Sequence, residues 1–166
     1  MNEIRAICSD VDGVLTDGGY IYMPVKSRGF DGQVAIGKKF NSRDAAAAKV
    51  WRDVGNELFI VTAGDDNVTR QRMTRYTPYC YWGQVDKAAT VLEISETFDI
   101  PVSQMAFIGD DHLDIPAMVV KDLGLKACPA DAAARVMRLA DYVCMRPGGN
   151  GALAELIEHL LYLDMG

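Results

Sequence analysis

A chain of 166 residues with 49% hydrophobic content is the size of one ordinary domain with a full core, and no Ser/Gly/Pro-rich linker divides it, so residues 1–166 are expected to form a single domain. Its 23 acids against 17 Lys and Arg give a formal charge of -6, and no basic run of five residues occurs, which disfavours nucleic acid as a partner. Apolar stretches stop well short of the roughly 18 residues that span a bilayer, and Met1 to Arg5 opens into a strand-like run without a signal-peptide pattern, so no membrane partner and a cytoplasmic location are expected. Cys8, Cys80, Cys128 and Cys144 are widely spaced, match no zinc-ligand pattern and read as buried free thiols. Neither GxGxxG nor GxxxxGK[ST] occurs, which removes dinucleotide and P-loop readings of the first turn.

Along the chain, apolar runs of strand length alternate with longer stretches of helical period, the pattern of a parallel α/β sheet wrapped by helices. Ile4 to Asp10 reads as the first strand. Gly19 to Met23 and Val34 to Phe40 read as a β-hairpin spanning about 19–40, turning through PVKSRGFDGQ. Ser42 is a candidate N-cap for a helix through SRDAAAAKVWRDV, with Gly55 as its stop. Glu57 to Thr62 is a strand, and Asp66 caps a helix to about Tyr76. The second half continues with a strand at Tyr79 to Trp82, a helix at Asp86 to Phe98 and a strand at Gln104 to Asp110. A helix at Ile115 to Lys121 has Pro116 in its first turn. Leu125 to Cys128 and Tyr142 to Met145 are late strands flanking a helix at Asp131 to Leu139, and Gly151 to Leu163 closes the chain as a helix.

In such a sheet, ligands bind at the carboxyl ends of the strands. The polar residues expected there are Asp10 and Asp12 after the first strand, Thr62 after the second long one, Asp110 and Asp111 after a later one, and Lys87 at a helix start. Acids from two separate strands make a hard oxygen site suited to Mg²⁺ used together with a phosphate. A cation lowers the cost of ionising neighbouring carboxylates and polarises a phosphoryl group. Asp10 is then placed to attack phosphorus and form an aspartyl-phosphate. Asp12 is placed to protonate the leaving alcohol and later to deprotonate the attacking water. Thr62, with Ala63 beside it, and Lys87 are candidates for binding the phosphate oxygens, and Gly13 leaves the turn room to approach them.

The segments DVDGVLTDG, IVTAG, QVDKA with Lys87, and GDDHLDIPAM resemble the four ordered motifs of the haloacid dehalogenase superfamily of phosphohydrolases. The chain is most similar to the small capless branch that acts on 3-deoxy-manno-octulosonate 8-phosphate and sialic acid 9-phosphate. FNSRDAAAAKV, DYVCM and GGNGALAEL extend the resemblance over nearly the whole chain. It implies a Rossmann-like fold with a β-hairpin flap, Asp10 as nucleophile and Asp12 as general acid/base. It also implies Mg²⁺ held by the Asp10 carboxylate, the Asp12 main-chain carbonyl and Asp110, with Asp111 and Asp114 supporting the metal from nearby. Thr62 and Lys87 would bind phosphate. The branch further implies a homotetramer in which the hairpin and C-terminal segment of one subunit roof another's site. Three departures stand out. TAGDD places Gly64 and Asp65 where a basic residue is usual, GGNGALAE places Asn150 and Ala154 at two further basic positions, and RDAAA replaces RDG(Y/L)G while keeping Arg43. A sugar-acid carboxylate would lose its expected Arg partner.

Each feature also has a plainer reading. Lys87 alone is a surface lysine at a helix start, and Asp111 and Asp114 alone are caps of the turn after GDD. Arg43 is either an exposed helix-start cation or a substrate-phosphate contact. His112 and His159 read as surface residues, Asp65 and Asp66 as a cap. Gly148, Gly149 and Gly151 read as a turn, whereas the resemblance implies a segment closing over substrate. Taken together, the residues point to a Mg²⁺-dependent phosphomonoesterase acting on a small phosphorylated substrate, a sugar or sugar-acid phosphate. The alternatives are a receiver-like phospho-acceptor, disfavoured because the acid pair follows the first strand, and a catalytically relic binding protein.

Overall fold

The computed structural model describes residues 3–25 and 34–162. In chain order the elements are β1 (Ala6–Ser9), β2 (Ile21–Pro24), β3 (Val34–Gly37), α1 (Ser42–Asp53), β4 (Glu57–Val61), α2 (Asn67–Met73) and β5 (Cys80–Tyr81). They continue as α3 (Lys87–Phe98), β6 (Met105–Ile108), α4 (Ile115–Met118), β7 (Leu125–Cys128), α5 (Ala134–Leu139), β8 (Tyr142–Val143) and α6 (Ala152–Tyr162). Six strands form one parallel sheet in the order β5-β4-β1-β6-β7-β8, while β2 and β3 pair antiparallel as a separate hairpin. Counted within the sheet alone, the order is 3-2-1-4-5-6, the doubly wound arrangement, with the chain reversing direction beside β1.

Alternation along each central strand decides which layer its side chains enter, because successive Cβ atoms point to opposite faces. Ile7, Leu58, Ile60, Ala106 and Ile108 face the layer containing Trp51 of α1 and Leu153, Leu156 and Ile157 of α6. Ala6, Cys8, Phe59, Val61, Met105 and Phe107 face Val91 and Ile94 of α3, Ala117 and Met118 of α4, and Val136 of α5. Both faces of β1 are therefore dry. All four cysteines are free thiols, buried except for half-buried Cys80, and burial pushes the Cys80 thiol up to about 11. No helix among the described residues is long and apolar enough to cross a membrane.

Several element limits shift for identifiable reasons. Asn41, not Ser42, caps α1: its side chain accepts the Arg43 backbone N–H at 3.0 Å. The helix expected from Asp131 starts only at Ala134, since the Asp131 carboxylate instead accepts the Gly148 N–H at 2.8 Å and the Ala133 N–H goes to the Asp110 carbonyl. The helix after GDD opens as a short 3-10 turn over His112–Asp114 and stops at Met118, before the β-branched pair Val119 and Val120. Most of the expected hairpin turn and the Leu163 end of the last helix lie outside the described residues.

Candidate active site

The first turn sets the geometry. β1 ends at Ser9, and the Asp10 N–H bonds the Ile108 carbonyl at 3.0 Å, so the nucleophile candidate leaves the sheet between its central strands. The N–H groups of Val14, Leu15 and Thr16 then converge on the Val11 carbonyl, closing a tight loop. Gly13 sits in that loop at φ +86, and a Cβ there would lie 2.0 Å from Asp110 Oδ2. Glycine is thus required twice, by the backbone and by the close passage of the Asp110 carboxylate. Asp110 fills the space on the Cβ side of Gly13, a reason for glycine additional to the expected approach of a phosphate to the turn.

Asp10, Asp110 and Asp114 each offer an oxygen, and these atoms lie within 4.8 Å of one another. Lys87 reaches into the cluster from the first residue of α3, its Nζ 2.9 Å from Asp10 Oδ2 and 2.6 Å from Asp114 Oδ1, with its side chain 1% exposed. Burial pulls its ammonium down, and the charges of Asp10 and Asp114 outweigh that, leaving it above the usual lysine range. Burial pushes Asp10 up to about 6, helped by the charge of Asp114 and opposed by Lys87. Asp110 is pushed up to about 7 by burial and by Asp114, Asp10 and Asp111. Asp110 Oδ1 is buried with no hydrogen-bond partner. One lysine among this many carboxylates leaves negative charge uncompensated, and an all-oxygen donor set with an orphaned carboxylate oxygen fits a hard divalent cation.

Asp114 is the support of the cluster. Its Oδ2 accepts the backbone N–H groups of Asp110 and Asp111 at 2.9 and 3.1 Å while its Oδ1 holds Lys87. A Cβ at Gly109 would meet the Asp114 side chain at 2.4 Å, so the glycine of GDD is what lets Asp114 fold back beneath the strand end. Asp111, by contrast, is exposed and caps the 3-10 turn, binding the backbone N–H and ring Nδ1 of exposed His112 at 2.6 Å. The structure does not bring its carboxylate into the cluster. Thr62 is buried at the end of β4 with its Oγ1 accepting the Gly64 N–H at 3.1 Å, and half-buried Ala63 continues that turn.

Asp12 faces elsewhere. Its Oδ1 accepts from Thr16 Oγ1 at 3.0 Å and its Oδ2 from Lys38 Nζ at 2.7 Å. Neither Thr16 nor Lys38 was singled out in the sequence. Thr16 lies inside the DGVLTDGG run, where a hydroxyl four residues after an acid is a local capping signal. Lys38 carries none. Its Nζ also meets Asp66 Oδ2 at 2.8 Å and Thr69 Oγ1 at 3.1 Å, and Asp66 in turn caps α2 through the Thr69 N–H. Burial pulls the Lys38 ammonium down, and the bonds from Asp12 and Asp66 raise it further than burial lowers it.

Other candidates lie apart from the acids. Arg43 is exposed, lines a groove between α1 and α6 beside Ala154 and Ile157, and makes no hydrogen bond or ion pair with Asp10, Asp12 or Asp110. Asp65 is paired with Arg70, which stacks over the Trp82 ring. Gly148, Gly149 and Gly151 are buried, and the Gly149 N–H bonds the Val14 carbonyl at 2.9 Å. A Cβ at Gly148 would fall 2.0 Å from the Gly13 carbonyl oxygen, so this segment packs against the first turn of its own chain. His159 is half-buried and stacks on Tyr142 at 4.0 Å, not a free surface residue.

No family model matches the chain. It is 34% identical over 160 residues to the 3-deoxy-D-manno-octulosonate 8-phosphate phosphatase of Escherichia coli (strain K12), an alignment covering 96% of this chain and 80% of that protein. Its structure resembles the crystal structure of the 3-deoxy-D-manno-octulosonate 8-phosphate phosphatase from Yersinia pestis, with a TM-score of 0.86 and 30% identity over 97% of this chain and 82% of that one. It also resembles the enzyme of the same name from Moraxella catarrhalis, solved with a magnesium ion, a phosphate ion and a KDO molecule, at a TM-score of 0.85 and 26% identity over 96% of this chain and 86% of that one.

Proposed function

The chain belongs to the 3-deoxy-D-manno-octulosonate 8-phosphate phosphatase family of the haloacid dehalogenase superfamily, and on that premise we propose that it is a Mg²⁺-dependent phosphomonoesterase working through an aspartyl-phosphate on Asp10. The observation that carries this reading is the placement of the Asp10 carboxylate at the reversal point of the sheet, held by Lys87 and sharing a site with Asp110 and Asp114.

In this reading Asp10 attacks phosphorus as the ester P–O bond breaks, and the leaving oxygen takes a proton from Asp12. Asp12 then removes a proton from the water that attacks the aspartyl-phosphate, releasing inorganic phosphate and restoring Asp10. Lys87 and Thr62 hold the non-bridging oxygens, and Asp114 keeps Lys87 in place. Mg²⁺, held by Asp10, the Asp12 carbonyl and Asp110, would neutralise charge on the transferring phosphoryl group. The substrate class is a small sugar or sugar-acid phosphate. The basic positions replaced by Gly64, Asp65, Asn150 and Ala154 favour an ester whose sugar carries no carboxylate facing them, because no arginine stands there to pair with one.

Phosphate release from a panel of sugar phosphates, sugar-acid phosphates, nucleotides and an aryl phosphate, with and without Mg²⁺, tests both parts. Metal-dependent release that Asp10→Asn abolishes is expected; near-normal turnover by Asp10→Asn would overturn the mechanism. A preference for sugar-acid esters would overturn the substrate argument alone.

A further inference from the structure

We propose that Lys38 is the positioning residue of Asp12, so that the seating of the hairpin on the body of the protein sets the geometry of the leaving-group acid. The inference rests on the reading of Asp12 as general acid given above.

Lys38 follows β3 directly, and its side chain is 1% exposed although the strand before it is open to solvent. An ammonium has three donors and no acceptor. All three are matched here, by Asp12 Oδ2, Asp66 Oδ2 and Thr69 Oγ1. The residue just before β2 closes the arrangement, with the Tyr20 ring 4.9 Å from Lys38 Nζ and the Tyr20 hydroxyl reaching Asp12 Oδ2 at 3.5 Å. Asp12 is therefore gripped from two directions, Oδ1 by Thr16 of its own turn and Oδ2 by the hairpin. Its side chain stays 28% exposed, open to a reacting ester. The same lysine ties the first turn to the N-terminus of α2, the helix that follows Thr62.

Without Lys38, Asp12 Oδ2 keeps only the long 3.5 Å contact from the Tyr20 hydroxyl, and the carboxylate can rotate about its Thr16 anchor away from the leaving oxygen. Misplacement of a reacting group by about 1 Å costs on the order of 10²-fold in rate. That loss should appear only where the leaving group needs a proton. An alkoxide leaves poorly without one, whereas a nitrophenolate leaves readily.

The test uses the full chain with saturating Mg²⁺. For Lys38→Met, Lys38→Arg and Asp12→Asn, kcat/KM is measured across phosphate monoesters from 4-nitrophenyl phosphate to alkyl and sugar phosphates. Lys38→Met is expected to lose about 10²-fold on alkyl esters and under about threefold on 4-nitrophenyl phosphate, steepening the leaving-group dependence towards that of Asp12→Asn. Lys38→Arg, whose planar fork cannot meet three convergent acceptors as an ammonium does, should fall between Lys38→Met and the unaltered protein. A loss of equal size across the series, or none, would overturn the proposal and leave Lys38 a structural tether. If Asp12→Asn itself leaves the dependence unchanged, the acid role of Asp12 fails and the proposal falls with it. Should Lys38→Met not fold, as judged by circular dichroism, the slope of Lys38→Arg decides: a wild-type slope overturns the proposal.

Discussion

The carboxylate of Asp44 accepts the backbone N–H of Ala154 at 2.9 Å, joining the first turn of α1 to the first turn of α6 across 110 positions. The Gly151 N–H supports the same carboxylate, so Asp44 caps α6 from another helix, and its Oδ2 is left buried without a partner. The cap also anchors the segment that packs against Gly13, tying a distant helix to the shape of the active-site turn.

Burial pushes Asp44 from 3.8 up to about 6, against the pull of the backbone N–H groups, Arg146 and Arg72. The folded state then binds more protons than the unfolded one between these two values. The stabilisation is therefore fully present below 3.8 and is lost as pH rises through about 6. Asp44→Asn keeps an acceptor oxygen and removes the titration. Between acid and neutral pH the unaltered protein should lose on the order of 3 kcal/mol relative to Asp44→Asn, measured by urea denaturation from pH 4 to 8. Parallel pH curves for the two proteins would refute this. Asp44→Ala, which removes the cap at any pH, should cost about 1 to 2 kcal/mol.

Lys87 is the only cation hydrogen-bonded to Asp10 or Asp114 among the described residues. Lys87→Met would leave two buried carboxylates without their partner, which costs about 3 to 5 kcal/mol when a buried pair is broken on one side. Activity should fall by on the order of 10³-fold, since the same ammonium is expected to bind the transferring phosphoryl group. Denaturant midpoints and phosphate release together check this. A stable Lys87→Met with normal activity would mean that Lys87 neither balances nor serves the cluster.

The placement of Asp10, Thr62 and Asp110 along one edge of the sheet was legible in the sequence because each follows an apolar run of strand length, and parallel strands put such ends on one edge. Strand order, by contrast, is tertiary, and so is the contact that buries Lys38 between Asp12 and Asp66, some 26 and 28 positions away. A lysine beside Lys39 at the end of a hairpin strand looks like any solvated charge, and no periodicity marks it. Caps slipped by a residue where two candidates adjoin, as with Asn41 and Ser42. Asp131 looked like a helix start but is spent on Gly148, a partner that only the folded chain supplies. Asp111 and Asp114 are three apart and chemically equal in sequence; Gly109, which admits the fold-back, separates their fates by burying one and leaving the other in water.

Gly13 offers a direct test of the cation site. In Gly13→Ala the methyl would collide with Asp110 Oδ2, and the φ of +86 would be strained for any L side chain. Asp110 must shift, so Mg²⁺ affinity should weaken by at least about tenfold, with turnover at low Mg²⁺ falling more than turnover at high Mg²⁺. Calorimetric titration of Mg²⁺ into the two proteins measures it. Unchanged affinity would remove Asp110 from the metal site.

The hairpin leads to the last prediction. Tyr20, Ile21, Tyr22, Met23, Val34 and Ile36 are all exposed, Tyr22 at 66%, and both faces of β2 and β3 lie open. A two-stranded hairpin is marginal in water on its own, and paired apolar residues such as Tyr22 and Ile36 on an open ribbon invite a partner surface. Within the chain it is moored at its base, by the Thr16 to Phe40 bridge and by Lys38 and Tyr20 at Asp12. A second copy covering the ribbon would bury this surface and brace the contact that orients Asp12. Light scattering at micromolar concentration should therefore give an oligomer, with a tetramer expected, and Tyr22→Lys with Ile36→Asp should dissociate it. Because Lys38 couples the ribbon to Asp12, the dissociated variant should lose more activity on alkyl phosphates than on 4-nitrophenyl phosphate. A monomer in the unaltered protein would sink the assembly, and a dissociated variant with full activity on alkyl phosphates would show that the ribbon needs no partner to hold the acid.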